Sequence, residues 1–509
     1  MIAEKSAGGS ARVIATGGLM IATLMVALDS TIANVALPHV QGSLSAAQDQ
    51  ITWVLTSYIV GTALMTPLSG WLALKLGRKP LFLISIVGFV GVSMLCGMAT
   101  SLPEMVLFRF LQGVAGAAMM PLSQAAILDM WPPGAIPQVM AIWSAVTMVA
   151  PIMGPTLGGF LTENLSWRWV FYINLPVGAA SFIMTYLALE KDRGGRERPF
   201  DWVGFLALVF FTGGVQLMVD RGSQLDWFDS GEIWLYAVLA ACGAYVFVVQ
   251  TITAKNPFFH LDLFRDRNYL SSVAFAVFLS GMLLSTTALL PTFMQSLMGY
   301  SAMQSGMAMM PRGIGSLISF TIAPFLAARF GPRQTIMIGL AVTIVALWHM
   351  SQFDLSMDVG PIKTAGFLLG LGQGMAFNPL TVLAFATLGV EHRTEAAVFS
   401  NMFRTLGGSL GIAALQAAYI QQSATAHERL AAGVISADPV IRWSMPQVID
   451  GAIGGLEAIN GEVTRQASMM AYDAVFAWMS LGTLLILPLV LIMRPARTTG
   501  EKLQELHAE

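Results

Sequence analysis

Apolar residues in this chain run in stretches of about 20 without a polar face, the length that crosses a hydrocarbon core. Fourteen such stretches are legible, at about 13–37, 52–74, 80–99, 104–127, 138–161, 170–189, 203–219, 232–253, 269–290, 303–327, 334–351, 364–386, 396–420 and 471–493. An amphipathic soluble helix would return polar residues at every turn, and a barrel strand would alternate with a period of two. Neither pattern is present. The stretches predict fourteen membrane-spanning helices, an all-α polytopic membrane protein. The first stretch follows basic residues, as a signal peptide would. It is too long for one, carries Asp29 and has no convincing small-residue cleavage site, so it reads as a retained first span.

Composition narrows this further. Of 509 residues, 55% are hydrophobic and 11% charged, against about 25% charged in an average soluble domain. That excludes an ordinary soluble enzyme and a disordered tail protein. The net charge of −2 leaves no field to attract nucleic acid. Two cysteines exclude a disulfide framework, and Cys96 and Cys242 read as small packing residues in apolar stretches. The remaining basic residues are sorted. With the N-terminus in the cytoplasm, the inside segments hold most of the 27 Lys and Arg. Examples are Lys75, Arg78 and Lys79 after span two, and Lys191, Arg193, Arg196 and Arg198 after span six. An even number of spans returns the C-terminus to the same side.

Two pieces of sequence recur. Leu72-Ala73-Leu74-Lys75-Leu76-Gly77-Arg78-Lys79, after span two, matches Leu326-Ala327-Ala328-Arg329-Phe330-Gly331-Pro332-Arg333, after span ten. Gln112-Gly113 with Pro121-Leu122, in span four, matches Gln373-Gly374 with Pro379-Leu380, in span twelve. Both pairs share one orientation, the mark of parallel repeats about an axis along the membrane normal. The chain then divides into a six-helix bundle at 1–189, an inserted helix pair with its linker at 190–268, and a second six-helix bundle at 269–509. Two facing bundles enclose a central cavity and alternate its access by rocking, which is a transporter architecture.

Ionisable side chains inside a membrane are costly, so each is a functional candidate. Asp29 lies nine residues before Pro38, and Arg109 six residues after Pro103. Those spacings put them roughly 13 and 9 Å below the same surface, where they could meet. Apolar surroundings favour the neutral acid and a guanidinium favours the carboxylate, so a carboxyl poised between them could gain and lose a proton. A static ion pair that orders the helices is the alternative. Arg312 in span ten has no evident acidic partner and could meet substrate, backbone carbonyls or Asp29. Arg404 in span thirteen could instead snorkel to the inner face. Asp129 could be a simple interface residue and Asp473 a structural one at the start of the last span.

Span five carries Pro151 and Gly154-Pro155-Thr156-Leu157-Gly158-Gly159. Proline kinks a helix and the Gly154/Gly158 spacing permits close helix contact, which suits a rocking interface as well as plain packing. Other patterns mislead. Gly407-Gly408-Ser409-Leu410-Gly411 has the spacing of a nucleophile elbow but lies in a span. Gly370-Leu371-Gly372-Gln373-Gly374 lacks the strand of a dinucleotide loop. The six histidines, His39, His260, His349, His392, His427 and His507, show no metal spacing, so no metal site and no cofactor are expected. With no phosphate-binding loop, energy is expected from an ion gradient, where one charge across 100 mV is worth about 2.3 kcal/mol.

Taken together, these residues resemble the major facilitator superfamily, and within it the fourteen-span drug:proton antiporters of the EmrB/QacA type. The resemblance is carried by Leu28-Asp29-Ser30-Thr31-Ile32-Ala33-Asn34-Val35-Ala36-Leu37-Pro38, Trp53-Val54-Leu55-Thr56-Ser57-Tyr58 and Arg109-Phe110-Leu111-Gln112-Gly113. Trp167 to Pro176, Leu225-Asp226-Trp227-Phe228-Asp229-Ser230 and Asn401-x-x-Arg404 add to it. It implies the major facilitator fold and a proton-driven exporter of hydrophobic or amphipathic toxic compounds in a bacterial inner membrane, both termini cytoplasmic. It implies proton coupling at Asp29 and Arg109, a cavity reached by Asn34, Tyr58, Gln112, Arg312, Gln373, Asn401 and Arg404, and conformational roles for Gly70, Gly77, Arg78, Lys79 and the span-five motif. It further implies a periplasmic adaptor and a TolC-type outer-membrane channel as partners, with segment 421–470, expected to be partly helical, as the contact; a surface flap is the alternative. One departure stands out: Leu74 occupies the place of the acid usual in the loop after span two. That puts a charge latch between the halves there in doubt. A dedicated exporter of one metabolite and a non-transporting receptor or scaffold are the rival readings.

Overall fold

The computed structural model describes residues 9–46, 50–51, 53–190, 200–222, 225–255, 257–389, 392–433 and 453–493. Among these the chain is helical and contains no strand. Lipid offers no partner to a backbone N–H or C=O, so long apolar runs close their hydrogen bonds within each segment. The first half holds α1 (Gly9–Ser43), α2 (Trp53–Leu76), α3 (Arg78–Met98), α4 (Leu102–Gly116), α5 (Met119–Met130), α6 (Ile136–Asn164), α7 (Trp169–Tyr172) and α8 (Asn174–Ala188). Then come α9 (Trp202–Gly222) and α10 (Gly231–Thr253), and a short α11 (Leu261–Arg265). The second half holds α12 (Arg267–Ser296), α13 (Ala302–Phe330), α14 (Pro332–Met350), α15 (Val359–Ala386), α16 (Arg393–Gly433) and α17 (Ile453–Ile486).

Twelve segments of the described residues are long and apolar enough to cross a membrane. Expected spans five and thirteen correspond to α6, with 29 residues, and α16, with 41. They fall outside the twelve: the apolar stretch of α6 is Ile136–Thr147, and α16 interrupts its apolar residues with Asn401, Arg404 and Gln421. Both face the other half of the molecule rather than lipid along much of their length, α6 against α13 and α16 against α2 and α5. Span four differs from its expected single helix. It is interrupted between Gly116 and Met119. Pro121 has no N–H to give the carbonyl of Ala117 and crowds it, which loosens the turn at that point.

The repeat is visible in the backbone. Gly77 and Gly331 occupy matching positions, with φ 89°, ψ 151° and φ 91°, ψ 152°. A positive φ of this kind favours glycine, which explains why both loops keep it. Matching helices also pack alike: α2 on α4 as α13 on α15, and α3 on α8 as α14 on α17. The misleading glycine patterns are crossing points. A side chain at Gly411 would collide with Gly281 of α12, and one at Gly370 with the Arg312 carbonyl of α13. The pair α9–α10 packs on itself, and α9 touches both α2 and α16. Cys96 is buried, whereas Cys242 on α10 is exposed and not a packing residue.

The α2–α3 loop, with Lys75, Arg78 and Lys79, marks one end of the bundle, here called the basic face. At the other end α16 and α17 run on. At 1.5 Å per residue they are roughly 61 and 51 Å long, against about 30 Å for a hydrocarbon core. Their projecting parts are joined by His427 Nε2 and Asn460 Oδ1 at 3.1 Å. Segment 421–470 is thus helical over 421–433 and 453–470, while 434–452 lies outside the described residues.

Candidate functional site

The most deeply buried charges meet in the first half. α1 presents Asp29, α4 presents Arg109 and Gln112 three residues apart on one face, and the start of α8 presents Asn174. Arg109 Nη1 donates to Asp29 Oδ2 at 2.6 Å, and both side chains have no exposure. Gln112 Nε2 and Asn174 Nδ2 donate to the other carboxylate oxygen at 2.9 and 2.8 Å. Arg109 also donates to Gln112 Oε1 at 2.8 Å and, through Nε, to the Val54 carbonyl at 3.2 Å. The Tyr58 ring lies 4.3 Å beneath the guanidinium. Gly113 lets α4 approach this closely, since any side chain there would strike the Tyr58 carbonyl. The Nη2 group of Arg109 is buried without a hydrogen-bond partner. One guanidinium and two amide donors thus surround the Asp29 carboxyl group.

The second half has a different cluster at the matching depth. Arg312 donates to Thr286 Oγ1 at 2.8 Å, to Thr287 Oγ1 and the Leu283 carbonyl at 3.2 Å, and to Gln373 Oε1 at 3.2 Å. It meets no carboxylate among the described residues, Asp29 included. Tyr58, Gln112, Arg312 and Gln373 are therefore buried inside their own halves and do not line the space between them, while Asn34 is exposed.

A cavity of about 50 Å³ does lie between the halves. Aromatic Trp143, Phe320, Phe377 and Phe385 form much of its wall, with Gln124 and Thr147 from the first half. Asn401 and Arg404 also line it. Arg404 does not snorkel: its Nη2 donates to Asn401 Oδ1 at 2.7 Å and touches Met120 Sδ at 3.3 Å. Asn401 donates in turn to Gln124 Oε1 across the halves at 3.2 Å.

On the basic face the halves are clasped despite Leu74. Arg78 pairs with Asp129 Oδ2, and Arg393, at the start of α16, pairs with Asp129 Oδ1 at 3.0 Å. Asp129 is therefore more than a simple interface residue: one carboxylate joins both halves. Nearby, a Cβ on Gly70 would lie 3.4 Å from a Val398 methyl. Lys79 donates to the Tyr186 carbonyl at 2.8 Å. In α6, Gly154 is pressed against Thr31 of α1, whose hydroxyl donates to the Ala150 carbonyl at 3.2 Å. Gly158 is buried and Gly159 has open space around it. Pro151 and Pro155 belong to α6, and their side chains lie outside the described residues.

Sequence reading missed Asn174, Gln124 and Asp220 here and misplaced Asp473. Asn174 was legible as a polar residue beside Pro176 at a span start. Gln124 lies in the second part of span four. Asp473 does not begin its span; it lies well inside α17, and its Oδ1 is buried with no partner. Asp220 of α9 accepts from Gln216 at 3.2 Å. The fold also assembles a group that spacing did not suggest. His260, His392 and Glu395 offer ligand atoms that all lie within 4.8 Å of one another.

A family model described as Major Facilitator Superfamily matches residues 19–412. Multidrug export protein EmrB of Escherichia coli K12 is 34% identical over 490 residues, 95% of both chains. Fatty acid resistance protein FarB of Neisseria gonorrhoeae is 33% identical over 507 residues, 97% of this chain and 98% of that one. The fold is similar to the crystal structure of the human organic anion transporter MFSD10, with TM-score 0.62 and 13% identity over 94% of this chain and 99% of the other.

Proposed function

The chain belongs to the Major Facilitator Superfamily, and from that premise we propose that it is a proton-driven exporter of hydrophobic or amphipathic toxic compounds. It acts in a bacterial inner membrane with both termini cytoplasmic. Similarity to multidrug export proteins across nearly the full chain supports export of small molecules. The observation that carries the coupling is the fully buried Asp29, caged by Arg109, Gln112 and Asn174.

A proton reaching Asp29 removes the charge that Arg109 holds. The guanidinium then keeps Gln112 and the Val54 carbonyl, and its grip on α1 weakens. Two residues along α1, Thr31 packs into the Gly154 notch of α6, and α6 packs on α13 of the other half. Protonation at Asp29 thereby acts on the seam between the halves. The sequence of events is an exchange: substrate leaves the cavity on the outer side and a proton enters at Asp29. Asp29→Asn, a near-isosteric change, tests this. The variant should insert and fold, yet lose resistance and substrate-induced proton flux in inverted vesicles. Wild-type flux in that variant would contradict the mechanism.

A second reading is favoured by Arg404. A cation in an aromatic-walled cavity, without a carboxylate partner among the described residues, suits amphiphiles that carry a negative head, the chemistry of fatty acids. FarB is named for resistance to them. Arg404→Leu should weaken export of anionic amphiphiles about tenfold, the weight of one such contact at 1.4 kcal/mol, and leave neutral dyes little changed. Equal losses for both classes would remove the preference.

The projecting parts of α16 and α17 are the proposed contact for a periplasmic adaptor and, through it, a TolC-type channel. Deleting 430–460 without loss of insertion should abolish adaptor pull-down. Unchanged pull-down would leave the projection as a surface flap.

A further inference from the structure

His260 precedes α11 on the linker that leaves the α9–α10 pair, His392 ends the α15–α16 connection, and Glu395 is in the first turn of α16. The fold gathers them at the basic face, away from the ion pair of the first half. His260 Nδ1 is 2.9 Å from Glu395 Oε2, and the two imidazole rings meet edge to face at 4.7 Å. Glu395 is buried, with its side chain 7% exposed, while His260 is 39% exposed. His392 Nδ1 is buried and has no hydrogen-bond partner. An imidazole nitrogen shut away from water without a partner is unfavourable, and here it belongs to a group that gathers two other ligand atoms.

We propose that His260, His392 and Glu395 bind a divalent transition-metal ion of the Zn²⁺ class. Two imidazoles and one carboxylate are a poor set for Ca²⁺ or Mg²⁺, which take oxygen ligands. They suit Zn²⁺, Co²⁺ or Ni²⁺, with water completing the coordination. The ion takes the place of the proton shared by His260 and Glu395. Metal–ligand bonds of about 2.0–2.1 Å require donor atoms about 3.3 Å apart in a tetrahedron, so small rotations of the two rings suffice. His260 gives the ion a way in from solvent. Burial of the carboxylate strengthens its hold on a cation.

The site has a mechanical consequence. It ties the linker from the inserted pair to the first turn of α16. Arg393, which follows His392 directly, is the residue that reaches Asp129 in the other half. Metal occupancy therefore stiffens the anchorage of the clasp without touching Asp29 or the cavity.

Tag-free full-length protein in detergent, stripped with chelator, is titrated with Zn²⁺ by calorimetry and with Co²⁺ by visible absorption. One ion per chain is expected, with the d–d bands of a site of low coordination number. His260→Gln, His392→Gln and Glu395→Gln should each weaken Zn²⁺ binding about tenfold or more. Zn²⁺ should also raise the melting temperature of the wild type more than that of His260→Gln, since it binds the folded state. His260→Gln alters a side chain that is 39% exposed rather than the buried Glu395 and keeps the test readable should Glu395→Gln fail to fold. Absence of binding to the wild type, or equal binding by the wild type and His260→Gln, would overturn the proposal.

Discussion

Asp29 and Arg109 each have a place only because of the other. Removing one partner of such a buried pair is expected to cost about 3–5 kcal/mol, because the remaining charge is stranded. Arg109→Leu should therefore melt well below the wild type. Adding Asp29→Asn to it should return most of that stability without returning proton flux, and melting in detergent beside flux in vesicles separates the two effects. A double variant as unstable as Arg109→Leu alone would mean that Arg109 matters for packing rather than charge. The depth of the two residues was legible, since counting from Pro38 and Pro103 put them together. Their neighbours were not. A span that is apolar all round has no polar face to fix its rotation, so depth is known and direction is not. That is why Tyr58, Gln112, Arg312 and Gln373 read as cavity residues although each turns into its own half. It is also why His260, His392 and Glu395 showed nothing: their proximity comes from the loops at one end of the bundle, across 135 residues of chain.

At the scale of elements, the clasp depends on one carboxylate with two arginines. Leu74 had put a latch at this loop in doubt, because the usual acid is missing there. The structure supplies the acid from the end of α5 instead. Each pair is partly exposed and is worth roughly 0.2–1 kcal/mol. Asp129→Asn should shift the halves toward opening at the basic face a few-fold, while leaving stability nearly unchanged. A disulfide between Gly70→Cys and Val398→Cys, where a Cβ on residue 70 would lie 3.4 Å from a Val398 methyl, would form less readily in that background. Undiminished cross-linking would show that packing alone holds the face shut. Element boundaries followed the same lesson. Helix limits were legible to within several residues where apolar runs end in polar loops. The interruption in span four was not, because Pro121 lies in an apolar run that hydropathy reads as continuous.

For the molecule as a whole, the cavity decides how transport must proceed. At about 50 Å³ it is far below the roughly 300 Å³ or more of a pocket that holds a drug-sized ligand. Under the proposed function the halves separate before substrate enters, which parts α5 from α16. Spin labels on exposed ends of these helices should show a longer distance when a proton gradient and substrate are supplied together. No change under those conditions would mean that substrate uses another route. The repeat was read from two short matches, and Gly77 and Gly331 within one of them share a backbone conformation. The count of spans was less secure, because helices that face a cavity tolerate the polar residues that hydropathy penalises.

The interruption at Ala117 and Ala118 gives span four an unusual division of labour. The segment before it carries Arg109 and Gln112 at the ion pair; the segment after it carries Gln124 at the cavity and Asp129 at the clasp. One short ribbon thus takes part in three separate sets of contacts, to which the proposed function gives three duties. A resistance screen that scores only growth will return a single block of sensitive positions here and suggest one site. Sorting those positions by fault, whether lost coupling, altered substrate range or loosened closure, requires three assays, and the boundary between the first group and the others should fall at this bend.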